Sequence, residues 1–441
     1  MKKICLTLIP ILFLFALMNS ENFAVARIYI DINSPNFNPI PIAICDFNNR
    51  PSDTKKNADG EFPISEGVKQ DLALTGIFNI LNKKSFLEDK NNVTAMTSEK
   101  IRFSDWTIIG ADYLLRGNVI QNNREIIADC YLFDTSSGKL IFNKKFLAAP
   151  DKPKEISRKI AIDIMRTLIN DEGDFNTQIA FISKNKLKAD IYSINYDGSE
   201  LKSMTDHKSV LMVPRWSPDG NLLAYTSFKR GRPEIYIRNL KTGMEKRVAS
   251  FEGLNLCGAF SPDGKKILLT LSKDGNNEIY VMDVDFLVVK RLTHNYAIDV
   301  SPSWSPDGKK IVFVSNRSGS PQIYTMDADG SNVKRITYDG KYNSSPSWSP
   351  HGDRIIYEGL TSNKYQIFTI DEEGNHPLQL TFDPANNEAP SWSPSGRQVV
   401  YVSQKGSSSK IVIVNSNGSN PRLLYEAHNK LVMPVWSPRL K

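Results

Sequence analysis

The sequence predicts a small α/β domain followed by an all-β, six-bladed β-propeller with four-stranded blades. Three observations carry this. First, an aromatic-Ser-Pro turn recurs every 44 residues: "WSPDG" at Trp216–Gly220 and Trp304–Gly308, "FSPDG" at Phe260–Gly264, "WSPHG" at Trp348–Gly352, "WSPSG" at Trp392–Gly396 and "WSPRLK" at Trp436–Lys441. A fixed period of about 40–45 residues with several strands per unit is the mark of a propeller. Second, residues 27–170 show no trace of that period. Third, the first unit opens on its second strand, "TQIAFIS", and the final "VMPVWSP" supplies the missing first strand. The two halves complete one blade, so the C-terminal strand closes the ring as a velcro and leaves no edge at the seam.

A chain of 441 residues exceeds one ordinary core. With 40% hydrophobic and 23% charged residues it reads as soluble and globular. The net charge of +7 is modest and its basic residues form no runs, which argues against nucleic-acid binding. The first 26 residues stand apart. Lys2 and Lys3 precede the apolar run Ile4–Met18, and Ala24-Val25-Ala26 offers the small residues a signal peptidase reads. That run is shorter than the about 20 residues of a bilayer span. Cleavage after Ala26 is expected, giving an exported protein of net charge +6 with no membrane-embedded segment.

The next elements are expected as follows. Residues 27–38 hold a short strand, "RIYIDI", and the start of a loop; residues 39–170 are the α/β domain; 171–176 are a polar linker; 177–441 are the propeller. "IPIAICDF" reads as a buried strand, and Ser65 as the cap of a helix over Glu66–Thr75 that stops at Gly76. "ADYLLRGNVIQ" is a strand, and Ile126–Phe133 pairs with Leu140–Phe146 across "DTSSGK". Ile156, Ile160, Ile164 and Leu168 mark one face of an amphipathic helix. Cys45 and Cys130 read as buried small hydrophobes, with a Cys45–Cys130 disulfide as the alternative in an oxidising compartment.

Within the repeat, Phe181, Tyr225, Leu269, Phe313, Tyr357 and Tyr401 mark one strand of each blade. Tyr192, Tyr236, Tyr280, Tyr324, Phe368 and Val412 mark the next, and stretches such as "VKRIT" give the fourth. In the turn, Pro218 suits the first corner of a type I turn and Gly220 supplies a positive φ. Trp216, Phe260, Trp304, Trp348, Trp392 and Trp436 are large enough to fill the wedges between blades. The third unit, "VDVDFLVVKRLT", lacks the glycine that Gly198, Gly330, Gly374 and Gly418 provide elsewhere, so a different turn is expected there.

The chain carries no GxSxG, HExxH, P-loop or GxGxxG pattern. His207, His294 and His428 follow fourth strands of separate blades and read as surface residues; no metal, cofactor or catalytic residue is expected. A non-enzymatic interaction scaffold is therefore favoured over an oligopeptidase propeller, which would need a hydrolase domain. A solute or glycan binder using the central channel is the remaining alternative.

Three stretches outside the repeat narrow the reading: "IRFSDWTIIGADYLLRGNV" (Ile101–Val119), "LFDTSSGKL" (Leu132–Leu140) and "GDFNTQIAFIS" (Gly173–Ser183). With the repeats, they make the whole mature chain resemble the TolB family of the Tol–Pal envelope system. Arg158 departs from the histidine common there. The resemblance implies a periplasmic, monomeric protein that binds the lipoprotein Pal at one propeller mouth and TolA through its N-terminal segment. It also implies a role in outer-membrane integrity and in constriction at division. On this reading the loops from each fourth strand to the next inner strand form the Pal face, with His207, Leu254, Asn255, Asp299, Asn343 and Glu388 as contacts. Arg27, Ile28, Tyr29, Ile30, Asp31 and Ile32 would meet TolA.

Overall fold

The structure, a computed structural model, describes residues 37–49, 63–87, 96–185, 188–207 and 209–440. The expected signal segment, its cleavage site at Ala26 and the strand Arg27–Ile32 lie outside the described residues.

The N-terminal sheet grows around Ile40–Ile44 (β1), an apolar run that a central parallel strand requires. A short pair, Asn48–Asn49 (β2), follows. The helix Ile64–Leu74 (α1) then leads to Phe78–Ile80 (β3). After the helix Phe103–Ile108 (α2) come Tyr113–Gln121 (β4), Ile126–Asp134 (β5), Leu140–Ala148 (β6) and the helix Pro153–Ile169 (α3). The sheet order is β3-β1-β4-β5-β6, with β2 also on β4. β1 is parallel to both neighbours, and β4, β5 and β6 are antiparallel, with Gly117 opposite Cys130 and Cys130 opposite Lys144. Val68 and Leu72 of α1 pack with Ile156, Ile160 and Ile164 of α3 over Ile42, Ala128 and Cys130. Ala43, Cys45, Trp106 and Phe133 fill the other face. Cys45 and Cys130 thus sit on opposite sides of the sheet as separate buried thiols, and the alternative disulfide does not form.

The expected cap is corrected. α1 starts one residue before Ser65, with Pro63 at the cap position and no capping side chain, and Ser65 is buried in the first turn. Proline, whose φ is already helical, suits a helix start. Gly76 does end the segment, at φ 68°. A Cβ there would lie 2.5 Å from Asn415 of the propeller, so this glycine also permits domain contact.

The propeller consists of six four-stranded sheets. The inner strands are Leu211–Trp216, Asn255–Phe260, Asp299–Trp304, Asn343–Trp348, Asn386–Trp392 and Lys430–Trp436. The last is antiparallel to Gln178–Lys184, with Val432 opposite Ile182 and Trp436 opposite Ile179, so the ring closes as the repeat requires. Two of these tryptophans reach back to the preceding blade: Trp216 Nε1 donates to Val435 O at 3.4 Å and Trp392 Nε1 to Ser347 O at 3.1 Å. In the turns, Ser217 Oγ binds Asp219 Oδ1 at 2.5 Å and accepts from Leu222 N at 2.9 Å. Ser261 and Ser305 repeat both bonds. The third unit makes its turn with Leu287 at φ 58°, while Asp283 Oδ1 accepts from the amides of Asp285 and Phe286. An Asx turn replaces the glycine there.

The stretch 171–176, expected as a polar linker, is packed: Asp174 and Phe175 are buried, and Asp174 accepts from Ser395 N at 3.0 Å and Ser395 Oγ at 2.6 Å.

Candidate functional site

Which face of the ring is open follows from where the α/β domain sits. Tyr196 OH donates to Leu74 O at 2.6 Å, Gln398 Nε2 donates to Leu74 O at 3.1 Å, and Arg158 Nη2 lies 2.9 Å from Asp197 and 3.3 Å from Asp71. Arg439 reaches Asp171 at 2.9 Å. All these propeller residues lie on the face of the Ser-Pro turns. The loops from fourth strands to inner strands emerge at the opposite, distal mouth.

Four of those loops are held from inside by members of a series that the tyrosine pattern concealed. The residue preceding each "IY" is polar: Asp190, Glu234, Glu278, Gln322, Gln366 and Lys410, each 44 residues after the last. Glu278 Oε1 accepts from Asn295 N at 2.8 Å and Arg291 Nη2 at 2.9 Å. Gln322 Nε2 donates to Gly340 O at 3.1 Å, and Gln366 Nε2 to Asp383 O and Ala385 O. A buried side chain with both donors and acceptors thereby satisfies loop backbone that would otherwise lack partners.

Three expected contacts belong to this scaffold and are corrected. Asn255 and Asp299 are fully buried and Asn343 nearly so. Asn255 Nδ2 donates to Phe251 O at 2.8 Å, and Asn343 Nδ2 to Asp339 O at 2.8 Å and Gln322 Oε1 at 2.9 Å. Asp299 pairs with Arg317 at 2.7 Å, yet burial still holds its carboxyl above the ordinary aspartate range. They stand at the start of an inner strand, where a buried polar group meets its own loop, as Asn255 and Asn343 do, or a side chain of a neighbouring segment, as Asn343 does at Gln322 and Asp299 at Arg317. Asn387 is the unforeseen fourth member, bonded to Gln366 and Asp383. Leu254 and Glu388 are half-buried at the mouth, and burial beside Glu358 raises the Glu388 carboxyl. His207 is mostly buried, its Nε2 2.8 Å from Glu245. Among the described residues no group of His, Cys, Asp or Glu is arranged to hold a metal.

Three of the distal loops expose an aromatic side chain. Tyr296 is fully exposed, Phe382 is 77% exposed and Tyr338 67%, with Ile298 and Tyr342 in the loops of Tyr296 and Tyr338, and Val210 exposed in the corresponding loop of another blade. Sequence reasoning passed over these because it weighed polar and charged loop residues first. The signal was present in "THNYAI", "TYDGKY" and "TFDPA", where an aromatic stands among turn formers.

Comparison with known proteins agrees with this architecture. Residues 28–141 match the TolB amino-terminal domain and residues 165–440 the TolB beta propeller domain. The chain is 42% identical over 212 residues to the Tol-Pal system protein TolB of Syntrophus aciditrophicus, covering 47% of this chain and 46% of that one. It is 34% identical over 206 residues to that of Desulfosudis oleivorans, covering 47% of each. These matches span about half the length of the curated relatives. The crystal structure of TolB from Acinetobacter baumannii superposes with a TM-score of 0.78 at 29% identity, over 91% of this chain and 97% of that one. With the propeller match alone spanning more than half of its length, the chain belongs to the TolB family.

Proposed function

We propose that this protein is a non-enzymatic, periplasmic scaffold of the Tol–Pal system that docks the lipoprotein Pal at the distal propeller mouth. Residues 27–38 would engage TolA, which links the outer-membrane lipoprotein to the inner membrane in support of envelope integrity and constriction. The observation that carries the Pal face is the set Tyr296, Tyr338 and Phe382, exposed on loops that buried polar side chains hold still. Aromatic anchors on pre-organised loops are the usual source of affinity at protein interfaces, because they bury much area at little entropic cost. His207, Leu254 and Glu388 stand at the same mouth and complete the proposed contact set.

The test measures Pal binding to a variant carrying Tyr296→Ala, Tyr338→Ala and Phe382→Ala. Affinity should fall at least about tenfold with an unchanged melt, while deletion of residues 27–38 should abolish TolA binding and spare Pal. Equal weakening from substitutions of Asp219 and Asp263 in the Ser-Pro turns would overturn the choice of face.

A further inference from the structure

The six inner strands surround the propeller axis, each touching its neighbours around the ring. One position before the wedge aromatic, the side chain points away from the wedge. That series is Arg215, Ala259, Ser303, Ser347, Ser391 and Val435, and every member is partly exposed between two buried neighbours. Inside a closed ring, exposure at this depth means exposure to the central channel. Five of the six are short and leave the channel room; the sixth is an arginine.

Arg215 is not compensated. Its Nη1 donates to the adjoining Pro214 O at 2.9 Å, and among the described residues no carboxylate forms an ion pair with it. Arg247, Arg291 and Arg317, also in the propeller, each meet a buried carboxylate: Glu234, Glu278 and Asp299. The titratable group beside Arg215 is the Cys257 thiol of the next inner strand, which burial pushes up to about 12 and so keeps neutral. The surrounding protein draws the guanidinium below its ordinary value. A guanidinium with restricted access to water and no opposite charge is costly, and its planar fork matches a carboxylate or phosphate bidentately.

We infer that the channel binds a small oxyanion, a carboxylate or a phosphate, on the Arg215 guanidinium, with the Ser303 and Ser347 hydroxyls as further donors. The apolar arc of Val432, Met433 and Val435 beside Arg215 leaves the fork as the polar feature on its side of the channel. This inference does not depend on the partner reading, and its test uses the full chain alone.

The measurement is calorimetric titration with sodium phosphate and with sodium acetate, ionic strength being held constant with chloride. Saturable one-site binding of at least one of them is expected, and the tighter one identifies the class. Arg215→Met should bind at least about tenfold more weakly and, in anion-free buffer, melt no lower than the parent. Ser303→Ala with Ser347→Ala should weaken binding with a normal melt, and this variant decides should Arg215→Met misfold. Absence of saturable binding by the parent, or full affinity in these variants, would overturn the site.

Discussion

Glu245 gathers three partners at one carboxylate: His207 Nε2 at 2.8 Å, the Tyr225 hydroxyl and the Lys229 ammonium. Burial disfavours its charge, but these donors outweigh it, first the His207 bond, and hold its pKa at about 2 against an ordinary 4.5. The folded value lies below the unfolded one, so the pairing stabilises the protein above about pH 4.5 and is lost as pH falls toward 2. Because the site is partly open to water, the contribution is about 1–2 kcal/mol. Glu245→Gln should therefore lower stability near neutral pH and flatten the acid limb of a stability–pH curve. An unchanged acid limb would show that the unfolded chain gains the same contacts. A second kind of residue repeats quietly through the blades. Thr205, Thr293, Thr337 and Thr381 each accept from the amide of the isoleucine before an aromatic, at 2.8–2.9 Å. The "RIT" and "QLT" letters that marked a strand end are thus cross-strand ties.

At the scale of elements, the seam strand Lys430–Trp436 makes the longest-range pairing among the described strands. It brings Trp436 Nε1 to Thr177 Oγ1 at 2.8 Å, while the following Ser437 N donates to Gln178 O at 2.8 Å. Ending the chain after Ala427 removes this strand and exposes the apolar edge of Gln178–Lys184. Aggregation or loss of the cooperative melt is expected, rather than a small shift, because an unpaired hydrophobic edge recruits other chains. A soluble truncated protein with a normal melt would contradict closure. Each inner strand shifts register at a β-bulge, and these bulges show how elements obey crowding at the axis. Val213, Ser301, Ser345, Ala389 and Met433 have φ near 53° just before a proline. In the blade beginning at Asn255 a glycine, Gly258, takes the proline's place, where a Cβ would lie 2.6 Å from Leu268 O. The sequence showed the prolines; the left-handed residue before each follows from packing six strands around one axis.

For the whole molecule, the α/β domain and the ring are joined by buried polar contacts. Arg158 bridges Asp71 of α1 and Asp197 of the last blade. Burial raises the Asp71 carboxyl even with this arginine present. Arg158→Ala leaves that carboxyl without its cation, at a cost of about 1–3 kcal/mol. Amides at Leu74–Gly76 and Tyr196–Ser199 should then exchange faster, while those of the blade cores keep their protection. Uniform protection across both regions would show that Asp174 and Gln398 suffice to hold the domains together.

The fold was legible because its cause is periodic and local. A turn of Ser, Pro and Gly with an aromatic before it is recognisable in any window, and six copies at one spacing dictate a ring whose last strand must meet its first. The pairing of Ile126–Phe133 with Leu140–Phe146, the helix along Ile156 and Leu168 and the substitute turn in the third unit are likewise set by local pattern, whereas the parallel neighbours of β1 are set by tertiary packing. The site was less legible because a residue's role there depends on which way a strand turns it. "N" or "D" at the mouth reads as a contact in the sequence, but Asn255, Asp299 and Asn343 point inward and clip their loops, while Tyr296 and Phe382 point out. Arg215 is one letter among many basic residues, and nothing near it in the chain distinguishes it. Only closing six strands around an axis restricts the water at its side and leaves it without a carboxylate partner.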